Sequence, residues 1–132
     1  MYDIEQIKRD EGFRATPYKC TADKLTIGFG TNLEAGITKE QGEALLIAQL
    51  KQNELALQRN LEWYSRAPEE LQNVLHNMTY QLGISGVLKF RKTLAFMANG
   101  EYKEASKEML DSKWARQTPL RAQRLSDRVA VL

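Results

Sequence analysis

The chain has 132 residues, of which 42% are hydrophobic and 27% charged, and its formal net charge at pH 7 is +2. This length fits one compact domain or a small lobe of a larger protein. No stretch approaches the roughly 20 apolar residues that a membrane-spanning helix needs. Residues 1–9 lack the apolar segment of a secretory signal, so we expect the protein to stay in the cytoplasm where it is made until another factor releases it.

Cysteine and histidine usage limits the cofactor chemistry. The one cysteine excludes an internal disulfide bond. The one histidine lies far from it in sequence and, at one position off the apolar stripe of its predicted helix, indicates a surface or helix-cap residue. These two residues form no metal-ligand pattern, so the sequence predicts neither a metal site nor a cofactor.

Positive charge is concentrated at the C-terminus. Residues 113–132 carry a net charge of +4 and the other 112 residues carry −2. Such a patch suits an anionic polymer or an acidic partner. Three arginines share one stripe of the last predicted helix (Arg121, Arg124 and Arg128), which leaves a nucleic-acid-binding helix as one alternative at this point.

The first third of the chain predicts a short helix followed by a hairpin. Asp3 and Gln6 form a capping box that opens the helix, and Gly12 ends it. Residues 14–32 are extended in pattern, with strands predicted at 16–19 and 25–29 and a turn at 21–24. Gly28 and Gly30 form no phosphate-binding loop, because neither a Lys-Ser/Thr pair nor a helix follows them.

The remainder predicts helices. Thr38 and Gln41 form a second capping box at the start of a helix of about 20 residues. Pro68 suits the first turn of the next helix, which Gly83 and Gly86 interrupt. Further helices are predicted at 87–97, around 105–109 and after 118, where Pro119 takes the first helical position. Trp63 and Trp114 are expected to be packing anchors.

These patterns predict an α+β domain in three parts: a small lobe with a β-hairpin (residues 1–37), a long connecting helix (38–61) and a helical lobe (62–132). We expect a cleft where the lobes meet, which is the usual place for a ligand. Glu11 falls at the end of the first helix, where the negative end of the helix dipole favours a protonated carboxyl. Cys20 falls at the end of the first predicted strand and Thr26 lies on the second, so that an acid and two small polar groups could act on one substrate.

Three blocks of sequence stand out as family motifs. The first consists of residues 10–14 (Asp-Glu-Gly-Phe-Arg), Tyr18 and residues 25–30 (Leu-Thr-Ile-Gly-Phe-Gly). The second is residues 77–83 (Asn-Met-Thr-Tyr-Gln-Leu-Gly) with Gly86, Val87 and Phe90, and the third is residues 112–122 (Ser-Lys-Trp-Ala-Arg-Gln-Thr-Pro-Leu-Arg-Ala). Together they resemble the glycoside hydrolase family 24 muramidases of T-even and lambdoid phages. The resemblance covers nearly the whole chain and implies a lysozyme-like fold that cleaves the β-1,4 bond between N-acetylmuramic acid and N-acetylglucosamine in peptidoglycan.

The resemblance also implies roles for particular residues. Glu11 falls on the general acid, Thr26 on a residue that holds the attacking water, and Cys20 on a position that is Asp in many members. Arg121 falls on an arginine that pairs with the catalytic glutamate. Five residues are implied in substrate binding: Tyr18, Asn32, Tyr80, Gln81 and Thr93. Two glycines, Gly28 and Gly30, are implied in supporting the site.

Some features depart from the T-even pattern. Thr31 replaces a histidine of a structural ion pair, the loop at 32–36 is much shorter, and Glu108 replaces an asparagine of the groove. The most consequential departure is Cys20, because ordinary glycosidases use two carboxylates.

Three mechanisms therefore stay open. Cys20 and Thr26 could orient a water while Glu11 protonates the leaving oxygen, the thiolate could attack the anomeric carbon, or the sugar's own 6-hydroxyl could attack, as in lytic transglycosylases. A catalytically inactive module that binds cell wall is a further alternative. The favoured interpretation is a monomeric phage endolysin whose partner is bacterial peptidoglycan, without nucleic acid or stable membrane insertion. It would be held in the host cytoplasm, released by a separate holin, and act on the cell wall in the periplasm.

Overall fold

The structure is a computed structural model that describes all residues from Met1 to Leu132. It consists of an N-terminal unit, Met1–Leu45, and a helical unit, Leu46–Leu132. The N-terminal unit contains helix α1 (Ile4–Glu11) and an antiparallel sheet of three strands in the order β1 (Arg14–Lys19), β2 (Leu25–Gly28) and β3 (Thr31–Asn32). The predicted α+β class is thereby confirmed.

Helix α1 begins and ends at the predicted residues. The Asp3 carboxylate accepts the Gln6 backbone N–H at 3.0 Å, and Gly12 follows the helix with φ +70°. The predicted capping box is only half formed, because the Gln6 side chain donates to Asp10 instead of returning to the first residue of the box. A side-chain partner one turn further along competes for the same amide.

The hairpin is longer than predicted on one strand and shorter on the other. Strand β1 begins at Arg14, opposite Gly28, and β2 ends at Gly28. Tyr18 lies opposite Thr26, which in turn lies opposite Asn32 of β3. Strand β3 lies within the stretch 14–32 that was predicted to be extended, but it was not predicted as a separate strand, because two residues show no alternation of their own.

Helix α2 (Lys39–Asn60) has the full predicted capping box. The Thr38 hydroxyl accepts the Gln41 N–H at 3.1 Å, and the Gln41 side chain accepts the Thr38 N–H at 2.8 Å. The helix has 22 residues and is therefore roughly 33 Å long. The division between the two units falls inside it.

Five further helices form the helical unit: α3 (Glu69–Leu88), α4 (Arg91–Ala98), α5 (Tyr102–Leu110), α6 (Lys113–Gln117) and α7 (Pro119–Ala130). Gly83 kinks α3 with φ +75°, but Gly86 lies within the helix that resumes after it. Pro68 precedes α3 rather than lying in its first turn. Helix α6, opened by Ser112, was not predicted, because five residues are too few for a helical period.

The hydrophobic core lies in the helical unit, where α5 packs on both α4 and α7. Trp114 is 4% exposed and Trp63 packs against the core. Two buried serines bridge α5 and α7, with the Ser106 and Ser126 hydroxyls 2.8 Å apart. No helix combines the length and apolar character needed to cross a membrane.

Candidate active site

Glu11 is the last residue of α1, and its carboxylate lies directly against the backbone of Gly30. A Cβ atom built on Gly30 would be 2.6 Å from Glu11 Oε2 and 3.1 Å from Cδ, closer than van der Waals contact permits. Gly30 also has φ +83°, which side chains rarely adopt. The N-terminal unit therefore places the exposed Glu11 carboxylate beside the β2–β3 turn, where any side chain at position 30 would displace it.

Cys20 and Thr26 share one peptide group as a hydrogen-bonding partner. The carbonyl oxygen of Lys24 accepts the Thr26 hydroxyl at 2.8 Å and the Cys20 backbone N–H at 3.0 Å. Thr26 is 4% exposed, whereas Cys20 is half-buried. The hairpin thus brings these two predicted site residues together.

The hairpin turn favours the thiolate of Cys20. Hydrogen bonds to the sulfur from the backbone N–H groups of Lys24 and then Ala22 lower the pKa of Cys20 below its ordinary value; burial opposes this, and the Thr26 hydroxyl adds a smaller lowering. Because that hydroxyl has one hydrogen, it can serve either the Lys24 carbonyl, as it does in this structure, or the thiolate. A lowered pKa increases the fraction of Cys20 that is thiolate near neutral pH, and the thiolate is the reactive form of cysteine.

Tyr18 and Asn32 flank Thr26 on the neighbouring strands. The Tyr18 ring is half-buried and carries the Arg14 guanidinium 4.5 Å from its centroid. The Asn32 side chain accepts the Glu34 backbone N–H at 2.9 Å and thereby caps the 3₁₀ turn Leu33–Ala35. Gly28 ends β2 with φ +68°, a backbone conformation that glycine adopts more readily than other residues.

The remaining predicted substrate-binding residues lie in the helical unit, but they do not line one common groove. Tyr80 lines a groove of about 240 Å³ with Asn77, whereas Thr93 is 97% buried and lines a separate groove of about 410 Å³. Gln81 instead contacts a core residue, because its side-chain oxygen accepts the Trp114 indole N–H at 2.9 Å.

Arg121 has defined partners inside the helical unit. Its Nε donates to Asn77 Oδ1 at 2.8 Å, and Nη2 donates to the Asn77 carbonyl at 3.2 Å. Arg128, on the same helix, forms a hydrogen-bonded ion pair with Glu70. Two arginines of the predicted basic stripe are therefore engaged with other side chains. The implied pairing of Arg121 with Glu11 stays a prediction.

A cluster that the sequence did not predict joins α2 to α3 within the helical unit. Glu54 Oε2 accepts the Tyr64 hydroxyl at 2.7 Å and lies 2.5 Å from His76 Nε2. Burial raises the pKa of Glu54, but the hydrogen bonds from His76 and Tyr64 outweigh it and hold the pKa below its usual range. Burial and then the Glu54 carboxylate raise the pKa of Tyr64. His76, predicted at the surface, is instead half-buried, because it meets a carboxylate 22 positions away.

The Glu54 cluster predicts acid-sensitive stability. A carboxyl whose pKa is lower in the folded state stabilises the fold at pH values above its unfolded pKa, and this contribution is lost as the pH falls through the folded pKa. We therefore expect the free energy of unfolding to decrease below about pH 5, and to do so less steeply in Glu54→Gln. Glu54→Ala should cost about 1–3 kcal/mol at pH 7, because the buried Tyr64 hydroxyl loses its acceptor.

Denaturant unfolding between pH 3 and pH 7 measures both effects. Glu104→Gln, in the first turn of α5, is a control that removes an exposed carboxylate. An equally steep pH dependence in Glu54→Gln and in wild type would contradict the assignment.

No group of three or more His, Cys, Asp or Glu side chains lies close enough to hold a metal ion. The groups of the candidate site described above are the Glu11 carboxylate beside Gly30 and the paired thiol and hydroxyl of Cys20 and Thr26.

Comparison with known proteins places nearly the whole chain in one family. Residues 8–130 match the phage lysozyme family model. The chain is 28% identical to probable T4-type lysozyme 1 of Dictyostelium discoideum and 25% identical to probable T4-type lysozyme 2 of the same organism, in each case over 92% of this chain and 89% of that protein. It is also 29% identical to the pre-baseplate central spike protein Gp5 of Enterobacteria phage T4, over 96% of this chain but only 27% of the spike protein, so it spans about a quarter of that relative. The chain therefore belongs to the phage lysozyme family, whose enzymes are glycoside hydrolases acting on peptidoglycan.

Proposed function

We propose that this protein is a muramidase that hydrolyses the β-1,4 bond between N-acetylmuramic acid and N-acetylglucosamine, with Glu11 as the general acid. The observation that carries this proposal is the contact of the Glu11 carboxylate with Gly30, a position that no other residue type could occupy without displacing the acid. A general acid contributes only when it is held at a fixed place relative to the leaving oxygen. Membership of the phage lysozyme family supports the reaction class.

In the proposed mechanism Thr26 and Cys20 position the water. Because the Thr26 hydroxyl donates its hydrogen to the Lys24 carbonyl, its oxygen is left as an acceptor for a water proton. The Cys20 thiolate supplies a second acceptor. The water oxygen bonds to the anomeric carbon as the glycosidic bond breaks, Glu11 gives its proton to the leaving oxygen, and the thiolate receives a water proton. Attack from the face opposite the leaving group predicts inversion.

The masses of the released sugars and of the intact protein distinguish the alternative mechanisms. Digestion in H₂¹⁸O should give muropeptides that carry one ¹⁸O at the new reducing end. A lytic transglycosylase would give the anhydro sugar, lighter by one water and free of the label. Attack by the thiolate would give a covalent glycosyl-enzyme, seen as an increase in intact-protein mass after substrate is added.

The role of Cys20 predicts a graded response to substitution. Cys20→Ala should lower the rate of lysis by about a hundredfold, because the water loses its strongest acceptor. Cys20→Asp should retain much more activity, since a carboxylate replaces the thiolate. Turbidity loss of outer-membrane-permeabilised bacteria measures these rates, and thermal melting confirms that each variant is folded. Full activity in both Cys20→Ala and Cys20→Ser would show that the thiol has no role in the reaction.

The substrate contacts and the cellular setting belong to the same proposal. Tyr18 and Asn32 flank Thr26 on the sheet and are proposed to contact the saccharide, as are three residues of the helical unit (Tyr80, Gln81 and Thr93). The protein is proposed to be a monomeric endolysin that accumulates in the host cytoplasm and reaches the wall in the periplasm after release. Binding to undigested peptidoglycan sacculi, compared between wild type and Tyr80→Ala, tests the contact that is most exposed.

A further inference from the structure

We infer that Glu34 is a positioning residue for the water-holding pair Cys20 and Thr26, acting through the peptide group that joins Lys24 to Leu25. This inference rests on the proposed function of that pair. Glu34 lies on the 3₁₀ turn that follows β3, outside the blocks of sequence that resemble the family. Its Oε2 atom accepts the Leu25 backbone N–H at 2.6 Å.

The carbonyl end of the same peptide group faces Cys20 and Thr26. Its N–H, on Leu25, points to Glu34, while its C=O, on Lys24, accepts both the Thr26 hydroxyl at 2.8 Å and the Cys20 N–H at 3.0 Å. Because the peptide bond is planar, fixing the N–H fixes the direction of the carbonyl. Glu34 thereby sets the position of the oxygen to which both site residues bond.

Charge strengthens this arrangement. A carboxylate at the N–H end polarises the peptide group and makes its carbonyl oxygen a better acceptor. A stronger acceptor keeps the single Thr26 hydrogen on Lys24 and away from the thiolate. The Thr26 oxygen then stays available to accept from the water, as the proposed mechanism requires.

Asn32 holds Glu34 in turn. The Asn32 side chain accepts the Glu34 N–H at 2.9 Å and opens the turn on which Glu34 lies, while Asn32 itself lies opposite Thr26 in the sheet. The path from Glu34 to the site therefore runs entirely through hydrogen bonds of the hairpin and its flanking turn.

Amide exchange tests this connection without any catalytic assay. In Glu34→Ala the Lys24 carbonyl loses its polarising partner, so exchange of the Cys20 amide proton should become several-fold faster by NMR. Glu34→Gln, which keeps an acceptor oxygen but no charge, should give an intermediate rate. Glu43→Ala removes an exposed carboxylate of the same unit and should change nothing. Wild-type exchange at Cys20 in both Glu34 variants would overturn the inference, whether or not the protein cuts peptidoglycan.

A double-mutant cycle tests the effect on catalysis. Glu34→Ala should lower kcat by about tenfold, with KM on soluble glycan strands unchanged, because the positioning of the water is lost but saccharide binding is not. In a Thr26→Val background, Glu34→Ala should have no further effect on kcat, since the group it acts through is absent. Independent losses that multiply, or a fall in melting temperature with unchanged kcat, would overturn the inference. An inactive wild type would instead contradict the proposed function alone, with the exchange result still deciding the role of Glu34.

Discussion

Glu11→Gln should lower the rate of bacterial lysis by a factor of about 10²–10⁴, which is the usual contribution of a positioned general acid. Glutamine has nearly the same shape as the glutamate and can still lie against Gly30, but its amide cannot protonate the leaving oxygen. The expected change is therefore in kcat, with binding to intact sacculi preserved. Turbidity loss of permeabilised cells and release of reducing ends measure the rate.

Glu5→Gln is the matched control for this substitution. Glu5 lies in the first turn of the same helix, and its ion pair with Lys8 is long, at 3.5 Å, and exposed. A surface pair of this kind contributes little, so lysis should be unchanged. Wild-type lysis by Glu11→Gln would remove the general acid from the proposal. Absence of lysis by wild type as well, with sacculi still bound, would favour the alternative of a binding module without activity.

Gly30→Ala should lower activity by about a hundredfold through the position of the acid. The new Cβ would be 2.6 Å from Glu11 Oε2, so the carboxylate has to move by roughly 1 Å to reach ordinary contact. A displacement of that size is enough to separate an acid from the oxygen it protonates. The alanine also has to adopt φ +83°, which should destabilise the fold by about 1–3 kcal/mol.

Gly36→Ala separates the effect of the strained φ angle from the effect of displacing the Glu11 carboxylate. Gly36 has nearly the same φ, +81°, but a Cβ there meets nothing within 4 Å. It should therefore lose stability by a similar amount and keep its activity per folded molecule. Thermal melting with lysis rates corrected for the folded fraction makes the comparison. Equal activities in the two variants would show that the contact between Gly30 and Glu11 does not matter for catalysis.

The local elements were predictable because their signals are short-range. The capping box at Thr38 and Gln41 fixed the start of α2, and Pro119 the start of α7, since both act within one helical turn. The choice of Glu11 rested on its place at the end of a helix next to a hairpin, taken together with Cys20, Thr26 and the family motif around them. By contrast, α6 and β3 were missed because each is shorter than the period that identifies its class.

Capping residues, periodicity and the family motifs are all readable within a few neighbouring positions. The fold class, the starts of α1, α2 and α7, and the three residues proposed for catalysis therefore followed from the sequence alone. Which side chains meet, in contrast, is known only from the folded structure. Gly30 lies beneath Glu11, Glu34 holds the peptide group behind Cys20 and Thr26, and His76 finds Glu54. These contacts join residues from 9 to 22 positions apart. They depend on strand register and helix packing, which the order of residues does not display.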